Sequence, residues 1–397
     1  MKKVLIVSHA LELGGAERSL IGLLDALDPN VCTVDLFLLR HEGGLLRDIP
    51  QYVNLLPQVS SYTVLARPMK DTLREGHVLL TAARLKGKMK AKQYDKKHRY
   101  IDSSVALEYS HKYTWHLMPD IQPVTEYDLA VSFLTPHYFV VKKVRAKKKI
   151  AWIHTDYSTV QVNVLSELAM WSAYDHIMSI SNAVSESFLK TFPSLRNKLI
   201  LMENILSKNM LVRQSAEFYT WFDMKKVDTI SLLSVGRFTN AKNFDNVPII
   251  CKILLKRGLK IRWYLIGFGG DEALIRQIIH ESGMVNHVII LGKKYNPYPY
   301  MKDCDLYVQP SRYEGKCVSV REAQMLGKPV VITKYATSFS QLEDGIDGVI
   351  VPMDNEGCAD GIARVLQNPM LMKVLSENCL KRDYSNSNQV GKLYSLL

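Results

Sequence analysis

The sequence predicts an α/β chain built as two doubly wound, Rossmann-like domains. Three observations carry that prediction. Short apolar, β-prone runs alternate with helix-period segments, the order that gives a parallel sheet wrapped by helices. The alternation runs once to about residue 203 and starts afresh at residue 230. Several of the runs end in Gly-rich or cation-bearing loops, the places where open α/β sheets hold ligands. The expected layout is a first domain over 1–205, a connection over 206–228, a second domain over 229–375, and a terminal helix over 376–397 packing back toward the first domain. Ligand is expected in a cleft where the two domains face each other.

Composition bounds this picture. The 397 residues are enough for two separate cores. Apolar residues at 47% and charged residues at 23% are ordinary for a soluble globular protein. There is no apolar run of about 18 residues, so no spanning helix is expected. The opening MKKVLIVSH is too short for a signal peptide and leads into Leu13-Gly14-Gly15-Ala16-Glu17, so it reads as a first strand and its loop. Cys32, Cys251, Cys304, Cys317, Cys358 and Cys379 are scattered without a C-x-x-C pair, which points to reduced thiols in a cytosolic setting and not to zinc. The net charge of +12 asks for an anionic partner. Residues 60–100 hold eleven Lys or Arg against three Asp or Glu, so this window supplies +8 of it.

In the first half, residues 3–8 read as a strand, 17–27 as a helix and 31–39 as a second strand. Gly14 and Gly15 let the backbone approach a ligand closely, and a plain tight turn is an equal reading. Residues 41–57 are loop with a short strand. Over 72–100, Leu73, His77, Leu80, Ala83 and Met89 recur at helical spacing among Arg84, Lys86, Lys88, Lys90 and Lys92. A basic amphipathic helix within Arg67 to Arg99 would lie on anionic lipid, and a solvated helix face fits equally. Nucleic acid fits poorly, because aromatics interleave only at Tyr94 and Tyr100. Strands over 128–133 and 147–153 follow, the second running into Trp152-Ile153-His154-Thr155-Asp156. A histidine at the carboxyl end of a buried parallel strand points into the ligand crevice, and that position favours a functional His154 over a structural one. A strand over 175–180, a helix over 183–191 and a short strand over 199–203 complete the half.

The second half opens with a strand over 230–235 and the polar loop Gly236-Arg237-Phe238-Thr239-Asn240-Ala241-Lys242-Asn243. Arg237 and Lys242 suit a diphosphate, with a guanidinium fork and an ammonium point charge. Neutralising a departing diphosphate stabilises a transition state without a metal. A helix over 247–256 and a strand over 261–266 lead to Gly267-Phe268-Gly269-Gly270, a close-approach loop short of a full G-x-G-x-x-G pattern. A helix over 272–281 and a strand over 288–291 follow. Asp303-Cys304-Asp305 has the D-x-D form that some nucleotide-sugar enzymes use for a metal, but it precedes a strand without companion ligands and reads as a structural turn.

The most informative stretch is DLYVQPSRYEGKCVSVREAQMLGKPVVIT, residues 305–333. It reads as a strand over 306–309, a loop, a helix over 318–326 stopped by Gly327 with Pro329 beyond, and a strand over 330–332. Glu314 and Glu322 bracket the loop-to-helix junction. The helix start at Lys316, Cys317, Val318 and Ser319 offers N–H groups to an anion. A carboxylate accepts two hydrogen bonds from a vicinal diol. Two carboxylates around a phosphate cradle suit a sugar, a diphosphate and a ribose in a row, while a surface unit with solvated glutamates is the competing reading. Helices over 359–366 and 371–380 end the chain.

In this order, and each after a strand, these residues resemble the retaining family-4 glycosyltransferases of the two-Rossmann GT-B fold. The resemblance covers nearly the whole chain: Gly14-Gly15, His154, SVGRFTNAKNFD, YLIGFGG and EGKCVSVREAQMLGKPVV with its E-x7-E spacing. It implies an acceptor-side first domain and a nucleotide-sugar-binding second domain. It implies that Arg237 and Lys242 hold the donor diphosphate, with Gly267 and Gly269 close by. Glu322 would bind the ribose and Glu314 hydroxyls of the transferred sugar. Backbone around Lys316, Cys317, Val318 and Ser319 would touch phosphate or sugar. His154 would act at the reaction centre, and Gly15 would admit a phosphate. The implied reaction retains configuration and needs no metal or other cofactor.

One departure stands out: the family often has Glu-Gly-Phe-Gly-Leu-Pro where this chain has Glu314-Gly315-Lys316-Cys317-Val318-Ser319. The Lys variant is similar to bacterial enzymes of capsule or exopolysaccharide assembly. These take a hexose or N-acetylhexosamine from a nucleotide-diphosphate sugar, UDP-sugar favoured, to a lipid-linked or oligosaccharide acceptor. A cytoplasmic enzyme held peripherally at the inner membrane face through Arg67 to Arg99, with no nucleic-acid partner, is the corresponding expectation. Two other readings remain open: a sugar-nucleotide epimerase of the same architecture, and a non-catalytic protein binding an anionic polymer or membrane.

Overall fold

The computed structural model describes residues 1–12, 14–100, 103–135, 137–224 and 228–397. Leu13 of the first Gly-rich loop and residues 225–227 of the expected connection lie outside the described residues. The chain divides into two compact units, one joining Met1–Ile205 to Asn386–Leu397 and the other formed by Leu206–Ser385.

The first unit carries seven strands: β1 (Lys2–Ser8), β2 (Cys32–Leu38), β3 (Asn54–Leu55), β4 (Tyr127–Ser132), β5 (Ala146–Ile153), β6 (His176–Ser179) and β7 (Leu199–Leu201). All pair in parallel, in the order β3-β2-β1-β4-β5-β6-β7. β1 shows why: from Val4 onward it is buried on both faces, as a parallel strand covered by helices on each side must be. The order reverses between β1 and β4, which opens a crevice at the carboxyl ends there. Leu5, Val7, Phe37, Tyr62, Phe139, Trp171 and Phe188 share the core. Side-chain caps start the local helices: Asn163 accepts from Ser166 N–H before Val164–Ser172, and Ser181 from Val184 N–H before Asn182–Thr191.

The basic window becomes two helices, Met69–Arg74 and Val78–His98. The long one packs on the helix Val105–Thr114, closely enough that a Cβ on Gly87 would come within 2.7 Å of the Tyr109 carbonyl oxygen. Leu80, Gly87 and Ala91 are buried on that side. At 100° per residue, Val78, Leu85 and Met89 point the opposite way, and they are exposed beside Lys86, Lys88, Lys90 and Lys92. The sequence reading expects one apolar stripe, and the helix has two. The second arises because Val105–Thr114 takes one stripe as a packing face, and that helix was not foreseen.

The second unit repeats the plan with β8 (Ile230–Val235), β9 (Ile261–Ile266), β10 (Val288–Gly292), β11 (Leu306–Gln309), β12 (Val330–Thr333) and β13 (Val349–Val351). These six are parallel in the order β10-β9-β8-β11-β12-β13, with the reversal between β8 and β11. Leu232, Phe244, Ile250, Trp263, Val308 and Ile362 share its core. Gly327 ends the helix Val318–Met325 with φ +68°, the left-handed stop that glycine adopts without strain. Within the segment read as a connection, Ser207 caps a helix, Lys208–Ser215, that packs on Tyr298–Asp303. No helix among the described residues is long and apolar enough to cross a membrane.

Candidate functional site

At the reversal of the second sheet, the loops after β8 and β11 meet. Arg312 from the second loop grips Asp245 beside the first with two hydrogen bonds of 2.9 and 2.7 Å, and its N–H donates to the Ala241 carbonyl. Asn243 Nδ2 donates to the Pro310 carbonyl at 2.8 Å. Neither Arg312 nor Asp245 was singled out in the sequence; a cation two residues before Glu314 was the available signal.

This frame brings Lys242 and Glu314 together. The ammonium donates to Glu314 Oε1 at 2.5 Å, with both side chains largely buried. Burial alone lowers the Lys242 pKa, but the Cys317 and Glu314 groups facing it outweigh that, and the net shift is upward. Burial also pushes the Cys317 thiol up against the opposing pull of Lys242, so the thiol is uncharged and the carboxylate is the real counter-ion. The thiol lies 3.8 Å from the ammonium and 3.3 Å from Ser319 Oγ. Glu314 is fixed further: Ser311 Oγ donates to Oε1 at 2.6 Å, and Thr337 Oγ1 donates to its carbonyl at 2.7 Å.

Cys317 is the N-cap of Val318–Met325. Its N–H donates to Gln341 Oε1 at 2.7 Å, and Gln341 Nε2 donates back to its carbonyl. That N–H is therefore satisfied within the protein, where the sequence reading assigns it to an anion. Ser319 Oγ donates to the Val235 carbonyl at the end of β8. Glu322, two turns into the chain from Glu314, is 2% exposed and accepts from Tyr298 OH at 2.7 Å. Lys316 is partly buried, Val318 likewise, and Arg237 is exposed. Gly267 and Gly269 have an internal reason to be glycine: a Cβ would sit 1.8 Å from the Gly236 oxygen and 2.3 Å from the Phe238 oxygen respectively. They seat the loop after β9 against the loop that carries Arg237. Both aspartates of the D-x-D form have protein partners, Asp303 from Thr220 and Asp305 from Ser231.

In the first unit, His154 follows β5 with its ring against Phe133. Burial lowers the imidazole to about 4, partly offset by a hydrogen bond to the Phe133 backbone, so the ring is neutral near pH 7. Its Nε2 is buried and has no hydrogen-bond partner among the described residues. Gly15 opens the helix Gly15–Ala26, and nothing lies within 4 Å of a Cβ placed there.

Comparison with known proteins adds to this geometry. The model of the family described as glycosyl transferases group 1 matches residues 220–382. The amylovoran biosynthesis glycosyltransferase AmsK of Erwinia amylovora is 25% identical over 59% of this chain and 64% of its own length. A Staphylococcus aureus poly(ribitol-phosphate) alpha-N-acetylglucosaminyltransferase is 26% identical over 34% of this chain and 28% of its own. The match thus spans less than two thirds of either relative. Among solved structures, Anabaena Alr3699/HepE in complex with UDP and glucose superposes with a TM-score of 0.66 at 15% identity, covering 100% of both chains. TarM of S. aureus with UDP gives 0.65 at 13% identity over 100% of this chain and 99% of its own. The fold is that of the GT-B glycosyltransferases.

Proposed function

We propose that the chain is a retaining glycosyltransferase that moves a hexosyl or N-acetylhexosaminyl group from a nucleotide-diphosphate sugar, UDP-sugar favoured, to a glycan acceptor on a lipid carrier during capsule or exopolysaccharide synthesis. The observation that carries this reading is the buried Lys242–Glu314 pair at the reversal of a parallel sheet, the place where such sheets hold nucleotides. The group 1 family match and the relatives' polymer-building names support the activity. A Campylobacter jejuni relative whose name specifies a diphospho-undecaprenol acceptor, 26% identical over 52% of this chain, supports the lipid carrier. UDP and UDP-glucose bound to the Anabaena protein support the donor.

The residues divide the work by charge. Lys242 and Arg237 take the diphosphate, Glu314 and Lys316 the transferred sugar, and Glu322 the ribose diol, with Gly267, Gly269, Cys317, Val318 and Ser319 shaping the walls. Gly15 leaves room for a phosphate at the first sheet. In a front-face step, the acceptor oxygen bonds to the sugar C1 as the C1–O phosphate bond breaks. The acceptor proton passes to the departing phosphate oxygen, whose charge the two cations offset. Two relatives' names specify α-linked products, and an α-linked donor giving an α-glycoside is retention. His154, neutral and with its buried Nε2 lacking a partner among the described residues, would need a shift of its ring to hydrogen-bond a sugar hydroxyl. No metal ion enters this scheme.

Offered UDP-, GDP- and ADP-sugars, purified protein should release nucleoside diphosphate from one class, and release should fall in Glu314→Ala, Glu322→Ala and Lys242→Ala. An epimerase would interconvert the sugars without release; no turnover of any donor would leave only a binding role. The outward stripe Val78, Leu85 and Met89 with its lysines is the part proposed to hold anionic membrane. Changing Lys86, Lys88, Lys90 and Lys92 to Gln should abolish sedimentation with anionic liposomes; unchanged sedimentation would remove the membrane from the reading.

A further inference from the structure

The loop over 310–317, which carries Glu314, joins β11 to the helix Val318–Met325 and belongs to neither. Its backbone groups therefore need partners from elsewhere in the chain. Three side chains of the segment over 333–341, from the end of β12 onward, reach them. Thr333 Oγ1 donates to the Ser311 carbonyl at 2.5 Å, and Thr337 Oγ1 to the Glu314 carbonyl at 2.7 Å. Gln341 Nε2 donates to the Cys317 carbonyl at 3.2 Å, and its Oε1 accepts from the Cys317 N–H at 2.7 Å. The three side chains sit four residues apart and the residues they hold sit three apart, so the grip runs along the loop from Ser311 to its last residue.

Two sets of contacts thus act on Glu314. Lys242 and Ser311 hold its carboxylate, at 2.5 and 2.6 Å. Thr337 and Gln341 hold the backbone from which that carboxylate projects: the Glu314 carbonyl itself, and both polar groups of Cys317 at the helix start. Gln341 suits this task because an amide carries a donor and an acceptor on one planar group. It is 5% exposed, so water is a poor substitute for either bond. A carboxylate at the same place would keep the acceptor and lose the donor. Thr337 needs only its hydroxyl.

We propose that Thr337 and Gln341 are positioning residues: through the loop backbone they set where the Glu314 carboxylate meets the transferred sugar, and with it the choice between donor sugars, without touching the donor themselves. This rests on the reading of Glu314 as the sugar-facing carboxylate. The test uses the full chain, a donor sugar that it turns over, and that donor's epimer at one hydroxyl. Gln341→Ala should lower kcat about tenfold, and Thr337→Val severalfold. Discrimination between the two epimers should fall severalfold in both. Affinity for the matching nucleoside diphosphate, measured by calorimetry, should stay within about twofold, because Arg237, Lys242 and Glu322 are intact. Thr337→Ser should recover the parent's kcat and discrimination, and Gln341→Glu should fall between Gln341→Ala and the parent. Where Gln341→Ala fails to fold, Thr337→Val and its Ser rescue decide. The proposal fails if kcat and discrimination are unchanged in the variants. It fails equally if kcat and nucleotide affinity drop together while discrimination holds, the result of a merely loosened fold. Variants that match an active parent overturn the positioning alone; a parent that releases nucleotide from no donor overturns the transferase reading and the positioning with it.

Discussion

Where the second sheet reverses, a buried ammonium faces a carboxylate, Lys242 against Glu314 at 2.5 Å. At the carboxyl ends of β4 and β5 of the first sheet, Glu108, Glu167 and the neutral His111 and His137 line a pocket with no Lys or Arg among the described residues that line it. The two sheets share their parallel pairing and the same central reversal, and the groups beside them differ: Lys242 paired with Glu314 at one, Glu108 and Glu167 from two helices at the other. The topology decides where a ligand sits; the side chains that the loops and helices bring there decide its charge. The variants below set the two edges against each other.

The largest expected effect is at the cationic edge. Lys242→Ala removes the charge placed for the leaving diphosphate and should lower kcat for nucleotide release by about 10²- to 10³-fold. Stability of the first unit should be untouched, and an unchanged kcat would remove Lys242 from the donor site.

Next comes acid. His111, His137 and His154 of the first unit have folded-state pKa values of about 4, 3 and 4, below the ordinary 6.5. Between pH 6.5 and those values the unfolded chain binds more protons than the folded one, so stability is full above 6.5 and lost as pH falls through that window. From pH 6.5 to 5 each histidine should contribute about 2 kcal/mol of the loss. The raised Glu167, at about 6, works the other way over its own range, gaining stability as pH falls toward 4.5. Denaturant midpoints against pH check this, and His137→Gln should flatten the slope by about a third of the histidine share.

A smaller effect is expected at the frame. Arg312→Ala frees the loop after β11 from Asp245 and should raise the donor KM about tenfold, with kcat less affected. The smallest is Tyr298→Phe, which removes one hydroxyl from Glu322 and should cost about 1 kcal/mol in donor affinity, read as a severalfold KM change. An equal loss in kcat would place Glu322 nearer the reacting atoms than the ribose.

The contrast also explains what could be read without the structure. The strand, loop and helix of residues 306–325 were visible because β11 opens on the apolar run Leu306-Tyr307-Val308, Gly327 marks the helix end, and both glutamates lie within one unit of chain. Strands and helices over 230–281 followed their periodicity almost to the residue. The Arg312–Asp245 grip was invisible because its partners are 67 residues apart. Glu108 and Glu167 were invisible for a stronger reason. Each lies in a short helix with mixed polar spacing, VALEYSHKYT and VLSELAMWS, that shows no single apolar face, and only tertiary packing turns them inward. The same unforeseen helix hid the second stripe of Val78–His98.

The last stretch, Asn386–Leu397, belongs to the first unit, where Lys392 Nζ donates to the Leu201 carbonyl and Leu393 is fully buried. At the crossing, Leu206 N–H donates to the Ser385 carbonyl at 2.8 Å, so the outgoing and returning segments leave the second unit as a tied pair. Leu393 comes from residues that follow the whole second unit in the chain, so a cut after Ser385 should destabilise the first unit, read as an earlier denaturant midpoint, while the core of the second unit keeps all of its own residues.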